Sequence, residues 1–361
     1  MAAEAGAGGK PPTDLDHMRA ALGLARRGLG SVWPNPAVGC VLVNAGRVVG
    51  RGWTQPGGRP HAEVEALGRA GAAARGATIY TTLEPCSHFG QTPPCADAII
   101  AAGIARVVSA LDDPNPEIAG EGYRRLRAAG ITVVTGVGAD EARRAHAGHV
   151  CRMREGRPYV TLKLAVSADG KAGLAGRRPA TITGEAVRER VHRCRAMHDA
   201  ILVGIGTALG DDPLLTVRLP GMLHRSPVRV VLDTALHLTP ESKLARGARE
   251  VPLWILAGPD APSARANALR AEGAEVLQVD GNGGRLDLAV ALKLISGRGI
   301  TRLLVEGGPT VAAAFLTGGL VDEAVLLSVI PAFPRPVTSM MTSPGGLSVN
   351  DPDTSASKLT V

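Results

Sequence analysis

Leu15, Met18, Leu22 and Ala25 recur at the three- and four-residue spacing of one helical face, and Gly28 or Gly30 ends that run. The period then changes. Cys40–Val43 and Arg47–Gly50 read as two short strands joined through Asn44-Ala45-Gly46, a hairpin. Further on, the pattern predicts a helix from about His61, a strand over Thr78–Leu83, a helix from about Cys95 and a strand over Arg106–Leu111. A helix over Gly122–Ala129, a strand at Ile131–Val134 and a helix from Asp140 close the first half. Helices alternating with strands imply a largely parallel sheet covered on both faces.

The charged stretch Arg152-Met153-Arg154-Glu155-Gly156-Arg157-Pro158 ends in Gly and Pro and reads as a domain boundary. Beyond it the same alternation resumes, with a strand over Tyr159–Ser167, a helix over Glu185–Met197 and strands at Ala200–Val203, Val228–Leu232 and Leu253–Ala257. Two more helices, a strand at Arg302–Val305, a helix over Val311–Leu316 and a strand at Glu323–Ile330 come after these. From about Pro334 the periodicity gives way to Pro, Ser, Thr and Gly, the composition of a loose tail. The expected layout is residues 14–157, residues 158–333 and an atypical tail over 334–361.

Composition narrows the class. A chain of 361 residues exceeds one typical domain. With only 2% aromatic residues its cores must be built from Ala, Val, Leu and Ile. The first residues have no apolar signal-peptide region, no run is long enough to span a membrane, and five cysteines make no disulfide framework, so a cytoplasmic protein is expected. A net charge of +7 suits a polyanion, but the basic residues are scattered and few aromatics exist to stack bases. A small phosphorylated substrate and a phosphorylated cofactor would use the same charge.

His61-Ala62-Glu63 opens a predicted helix, Glu84-Pro85-Cys86 comes after a strand, and Pro94-Cys95 comes after eight intervening residues. One imidazole and two thiolates make a neutral three-ligand shell for Zn²⁺ and leave a fourth tetrahedral position open, as catalysis requires. Cys95 precedes a helix whose first amides favour a thiolate. Glu63, two residues from His61, is placed to act as a proton shuttle and not as a ligand, the division of labour of zinc nucleobase deaminases. Two rival readings share these residues. A nucleic-acid base deaminase would flip its target base into the same centre. A non-catalytic protein with structural zinc would need a fourth protein ligand, for which Cys40 and His88 are the nearby choices.

The eight-residue spacing in CSHFGQTPPC departs from the two residues of the general deaminase signature. Together with PNPAVGC, PHAEVEAL, TLEPCSHFGQTPPCADAI and DPNPEIAGEG, it closely resembles the bifunctional deaminase–reductase family of riboflavin biosynthesis, over nearly all of residues 15 to 331. The resemblance implies an α/β protein in which a cytidine-deaminase-like three-layer α/β/α domain precedes a dihydrofolate-reductase-like α/β domain. It implies His61, Cys86 and Cys95 as zinc ligands, Glu63 as proton donor, and Asn35 and His88 as contacts to the pyrimidine. Thr54 and Gln91 stand where relatives carry His and Lys or Arg, so phosphate contacts do not carry over to them.

In the second half, Gly204-Ile205-Gly206 comes after a strand but lacks the third glycine of a dinucleotide fingerprint, and Gly210-Asp211-Asp212-Pro213 argues against a crossover helix there. Gly307-Gly308 sits between a strand and a helix, where small residues let a phosphate approach the helix N-terminus. LKLAVSADGK, DAILVGIGTALGDDPLLTVR, PVRVVLDT and LLVEGGPTVAAAFL resemble the family's reductase half. That implies NADPH contacts at Ala165, Thr181, Thr207, Asp211, Thr234, Gly308, Pro309, Thr310, Val311, Ala312, Ala313 and Ala314. Substrate contacts are implied at Pro179, Arg195, Leu215, Arg218 and Glu306. Pro179 and Thr181 replace the Ser and Trp of relatives. After Ile330-Pro331-Ala332 the family's closing strands are not evident, so an open sheet edge and a weakened reductase are expected. The resemblance further implies one zinc ion per chain, a small phosphorylated pyrimidine substrate and a homo-oligomer, with neither nucleic acid nor membrane as partner.

Overall fold

Asn44-Ala45-Gly46-Arg47 reverses the chain with left-handed φ at both central residues, 48° at Ala45 and 74° at Gly46. A two-residue hairpin turn demands that combination. β1 (Gly39–Asn44) and β2 (Arg47–Trp53) therefore pair antiparallel, with Asn44 opposite Arg47. The computed structural model describes residues 12–116, 118–167, 185–329 and 356–360. The chain divides into two compact units between Arg154 and Glu155.

In the first unit β3 (Thr78–Thr81), β4 (Arg106–Ser109) and β5 (Thr132–Thr135) extend the hairpin into a sheet of order β2-β1-β3-β4-β5. Its last three strands run parallel. Strand side chains alternate between two cores. Cys40, Leu42, Ile79 and Val107 pack with α2 (Ala62–Ala70), α3 (Cys95–Ala101) and α4 (Glu121–Ala128). Val41, Tyr80 and Val108 pack with α1 (Asp14–Ala25) and α5 (Ala139–Ala145). The result is three layers, helices over both faces of one sheet. Thr13 caps α1 through a reciprocal box with Asp16, which fixes where the first apolar stripe begins.

Where one helix was expected from Asp140, two form. α5 ends at His146, a buried residue whose Nε2 lies 3.0 Å from the Thr82 hydroxyl, and α6 (Ala147–Glu155) continues from it. The charged stretch read as a domain boundary forms the last turn of α6, where the two units divide, and Gly156, at φ 68°, releases the chain.

α2 carries His61 at its cap and Glu63 in its first turn, and glycine sets where this helix sits. A Cβ on Gly52 would fall 2.2 Å from the Ala62 carbonyl oxygen, and one on Gly50 would fall 2.4 Å from that of Ala66. The first turns of α2 thus rest on β2 at backbone-to-backbone distance. By contrast Gly23 in α1 and Gly68 in α2 face outward, and a Cβ there would meet nothing within 4 Å.

The second unit is one eight-stranded sheet among the described residues, of order β10-β9-β8-β7-β13-β6-β14-β15. In chain order it runs through β6 (Tyr159–Ser167), α7 (Glu185–Ala196), β7 (Ala200–Gly204), α8 (Ile205–Asp211), β8 (Val228–Leu232) and α9 (Lys243–Arg246). β9 (Leu253–Ala257), α10 (Ser263–Ala271), β10 (Glu275–Gln278) and the small hairpin of β11 (Gly281–Asn282) and β12 (Arg285–Leu286) come next. α11 (Leu288–Gly297), β13 (Arg302–Val305), α12 (Pro309–Thr317), β14 (Glu323–Val329) and β15 (Ala356–Thr360) complete it. All neighbours in the large sheet are parallel except β14 and β15. Ile201, Val203, Val231, Leu253 and Ile255 form the centre of one core with Leu236, Leu244 and Leu269.

Two expectations are corrected. A helix does begin after Gly204. α8 fits two turns before Asp212, at φ 38°, and Pro213 stop it. The far edge of β14 is not open either. Ala356–Thr360 pairs antiparallel along Glu323–Leu327, which needs no crossover helix and only five residues of extended chain. Residues 330–355 lie outside the described residues. The short β10 and the β11–β12 hairpin carry no period that the sequence displays.

Gly52→Ala is predicted to lower the stability of the first unit by about 1–3 kcal/mol, because the added methyl must push α2 off β2. Thermal unfolding of that unit should reveal it. Gly23→Ala, which meets open space, should cause no loss in the same assay.

Candidate active site

His61 is the N-cap residue of α2, and the helix starts there with no side-chain cap, which leaves the imidazole available. Its Nδ1 lies 3.3 Å from Cys95 Sγ and 3.6 Å from Cys86 Sγ. The three ligand atoms all fall within 4.8 Å of one another, and no fourth His, Cys, Asp or Glu joins the group among the described residues. Cys86 sits on the loop after β3 and Cys95 is the first residue of α3. The Cys95 backbone N–H donates to Cys86 Sγ at 3.2 Å. One imidazole nitrogen and two sulfurs converging at this range fit a tetrahedral Zn²⁺ with a position to spare. Cys40, a candidate fourth ligand for structural zinc, is fully buried on β1 and outside the group.

The three donor groups are linked to one another electrostatically. The Cys86 thiol is held down to about 4, first by the hydrogen bond from the Cys95 thiol and then by His61. Cys95, the donor in that bond and itself buried, is pushed well up. His61 is raised by its bond to Cys86. Glu63, in the first turn of α2 and 3% exposed, stands beside the group and not in it. Its Oε1 lies 3.1 Å from the Thr81 hydroxyl, and burial, with the nearby Cys86 charge second, raises its carboxyl. A carboxyl biased towards protonation, held by one hydroxyl, suits a group that takes up and gives back a proton.

The surrounding residues divide into those that face outward and those already committed. The Asn35 amide donates to the carbonyl of Gly58, three residues before His61, at 2.8 Å. His88 and Gln91 are exposed on the loop between the cysteines. Thr54 is 2% exposed, and its hydroxyl accepts from the Val38 N–H at 3.0 Å and donates to the Pro36 carbonyl at 3.0 Å. A residue with both hydrogen-bonding roles taken up by the backbone is a staple of the 36–38 turn. Glu84, whose role no motif signals, is buried and accepts backbone N–H bonds from Asp113, Gly120 and Gly122 at 2.9–3.0 Å. This explains the second glycine of DPNPEIAGEG, since a Cβ on Gly122 would fall 2.2 Å from the Pro85 carbonyl.

In the second unit the predicted residues gather at the carboxyl ends of adjacent parallel strands, where open α/β sheets take their ligands. Thr234 lies just after β8, Thr207 in the first turn of α8 after β7, Gly308 just after β13, and Ala165 near the end of β6. The Thr207 hydroxyl accepts the Gly308 N–H at 3.2 Å and so joins two of these turns. α12 begins at Gly308 with no side-chain cap, and its exposed Pro309 and Thr310 fit a phosphate at the helix start. Val311 is partly buried and Ala313 and Ala314 are exposed, whereas Ala312 is fully buried and turned to the core. Asp211 is exposed at the end of α8.

Arg195 and Glu306 form a fork, with Nε to Oε1 at 2.8 Å and Nη2 to Oε2 at 3.1 Å, while Nη1 donates to the Thr216 carbonyl at 3.1 Å. Burial alone would raise the Glu306 carboxyl, but Arg195 and then Lys163 outweigh it and hold it below its usual range. Arg218 is lowered by burial and by Arg195, and its backbone N–H donates to His192 Nδ1 at 3.3 Å. Leu215 differs from the other expected substrate contacts. Its side chain is 3% exposed inside the core, on a backbone at φ 55°, and the carbonyl of the next residue, Thr216, accepts from Arg195. Lys163, with Nζ 3.7 Å from Glu306 Oε2, escapes the sequence reading although it lies two residues from Ala165 on the same face of β6. Pro179 and Thr181 lie outside the described residues.

Residues 11–111 match the family model of the cytidine and deoxycytidylate deaminase zinc-binding region, and residues 158–333 match that of the RibD C-terminal domain. The riboflavin biosynthesis protein RibD of Escherichia coli (strain K12) is 43% identical over 324 residues, covering 87% of this chain and 86% of that protein. That of Aquifex aeolicus (strain VF5) is 42% identical over 313 residues, covering 87% and 86%. Among solved structures, Acinetobacter baumannii RibD, form 1, superposes with a TM-score of 0.85 at 35% identity over 96% of this chain and 97% of that one. The diaminohydroxyphosphoribosylaminopyrimidine deaminase/5-amino-6-(5-phosphoribosylamino)uracil reductase from Thermotoga maritima superposes with a TM-score of 0.81 at 31% identity, covering 96% and 97%.

Cys86→Ser and Cys95→Ser are each predicted to lose the metal, because two strong ligands do not retain zinc against buffer. Elemental analysis of the purified variants checks this; stoichiometric zinc in either would remove that residue from the shell.

Proposed function

The chain belongs to the RibD family of riboflavin-biosynthesis proteins, and from that premise we propose that it carries out two successive reactions, one in each unit. The first is hydrolytic deamination of 2,5-diamino-6-hydroxy-4-(5-phosphoribosylamino)pyrimidine, and the second is NADPH-dependent reduction of 5-amino-6-(5-phosphoribosylamino)uracil to its ribityl form. The observation that carries the reading is the convergence of His61 Nδ1 and the sulfurs of Cys86 and Cys95 beside, but excluding, the buried Glu63.

His61, Cys86 and Cys95 hold zinc, which when bound activates water for attack on the carbon that bears the amine. Glu63 receives the proton that the attacking water gives up and delivers it to the departing amine, so that ammonia leaves neutral. Burial supports this role, because a carboxyl raised towards neutrality both accepts and returns a proton at little cost. His88, on the loop after Cys86, reaches the exposed side of the pyrimidine.

In the second unit the turns that carry Thr207, Thr234 and Gly308 would hold NADPH, which would supply the hydride when bound. Arg195 and Arg218 offer two cations to the substrate phosphate, while the Glu306 carboxylate keeps Arg195 oriented through both of its oxygens. With β15 added along it, β14 is not left as the unpaired edge of the sheet that carries these turns, which supports an active reductase. Among the described residues no helix is long and apolar enough to cross a membrane.

Glu63→Gln is predicted to retain zinc and lose deamination by at least about 100-fold, since an amide cannot shuttle a proton. Zinc content and ammonia release, measured on the same sample, test the assignment; near-normal turnover would end it. For the reductase, wild-type protein supplied with the diaminopyrimidine should release ammonia without NADPH. It should yield the ribityl product, identified by mass, only when NADPH is added. Ammonia release with no substrate-dependent NADPH oxidation would show that only the first unit works.

A further inference from the structure

α4 carries none of the proposed zinc ligands, yet both cysteine segments are tied to it. Arg125 on α4 donates from Nη1 to the carbonyl of Ser87, the residue after Cys86, at 3.1 Å. The same guanidinium holds Asp97, two residues after Cys95, with Nε to Oδ1 at 2.8 Å and Nη2 to Oδ2 at 2.9 Å. One planar group thus spans the two segments. The start of α4 is fixed in turn by Glu84, two residues before Cys86, through the N–H groups of Gly120 and Gly122.

The eight residues between the cysteines make such a brace useful. His88 to Pro93 are exposed, so most of this loop has no packing to define the distance between its ends. A flexible closed loop also costs more entropy to hold as it lengthens. Two direct contacts draw the ends together, the Cys95 N–H to Cys86 Sγ at 3.2 Å and the Ala96 N–H to the Cys86 carbonyl at 3.1 Å. Both act at the ligands themselves. Arg125 acts from outside, and its fork is rigid where a lysine would be a point charge. With side chains 40% and 32% exposed, the Arg125–Asp97 pair adds little to folding stability by itself, so its value lies in geometry.

We propose that Arg125 is a positioning residue for the two thiolates, setting their separation and thereby how long the protein keeps its zinc. This rests on the assignment of Cys86 and Cys95 as ligands. Outer-shell partners of metal ligands commonly change metal retention by about 10- to 100-fold.

The test uses the full-length, zinc-loaded protein and monitors zinc release to a chromogenic chelator, for wild type, Arg125→Ala, Arg125→Lys, Asp97→Asn and the Arg125→Ala/Asp97→Asn double variant. Release should be about 10- to 100-fold faster in Arg125→Ala. Arg125→Lys should restore it only in part, and the double variant should be no faster than the faster single one, as for two halves of one brace. Metal-free wild type and metal-free Arg125→Ala should melt together. Wild-type release rates in Arg125→Ala, or additive effects in the double variant, would overturn the proposal. So would a melting point lowered as much without metal as with it, which would make Arg125 merely structural. Wild-type protein without zinc would instead overturn the ligand assignment beneath it.

Discussion

The backbone of α2 lies against β2 with only the hydrogens of Gly50 and Gly52 between them, and the deaminase centre is built out from that contact. It brings the first turn of α2, with His61 at its cap and Glu63 buried behind it, down to the level of the sheet. β3 then delivers Thr81 to the Glu63 carboxylate and sends the chain directly into the Cys86 loop. A helix raised by the width of one methyl would still be a helix with the same charge and the same motif. Its imidazole would no longer meet the sulfurs. Close packing leaves no slack to absorb such a shift.

The two units solve the problem of placing reactive groups in different ways. The first places its proposed zinc ligands on a helix cap and at the two ends of a long loop, which polar contacts tie to α4. The second uses a run of parallel strands that end on one side, so that the turns after β8, β7 and β13 are brought together by topology. There the local requirement is electrostatic. Arg195 and Glu306 are both largely buried, and each is tolerated because the other answers it through two hydrogen bonds.

Much of this was readable from residue order alone. The α/β alternation, the hairpin at Asn44 and the His-x-Glu and Pro-Cys pair depend on local period and on residue chemistry, which a sequence displays. What stayed hidden depends on partners distant in the chain. Thr54 reads only as a departure from its relatives, and the sequence does not show that its hydroxyl is used by the Pro36–Val38 turn. The sequence does not show that the Leu215 side chain joins the core cluster that includes Val203, Val231 and Leu236. Glu84 is silent because a lone acidic residue beside a motif carries no sign of the three amides it receives from the segment around Gly120. β15 has no recognisable strand pattern because an edge strand borrows its register from its neighbour, here β14. The α5–α6 break falls at His146, whose partner Thr82 lies just after β3, far away in the chain.

The same helix that cannot spare Gly52 beneath it carries Gly68 on its outer side, and α1 carries Gly23 in the same situation. Within a helix a glycine leaves the unfolded chain more freedom than alanine would, at a cost of about 0.5–1 kcal/mol per position. For anyone hardening this protein against heat, the glycines therefore sort by the side of the helix they occupy. Those beneath it are fixed by geometry, and those above it are latent stability that replacement by alanine would release without moving an atom of the metal centre.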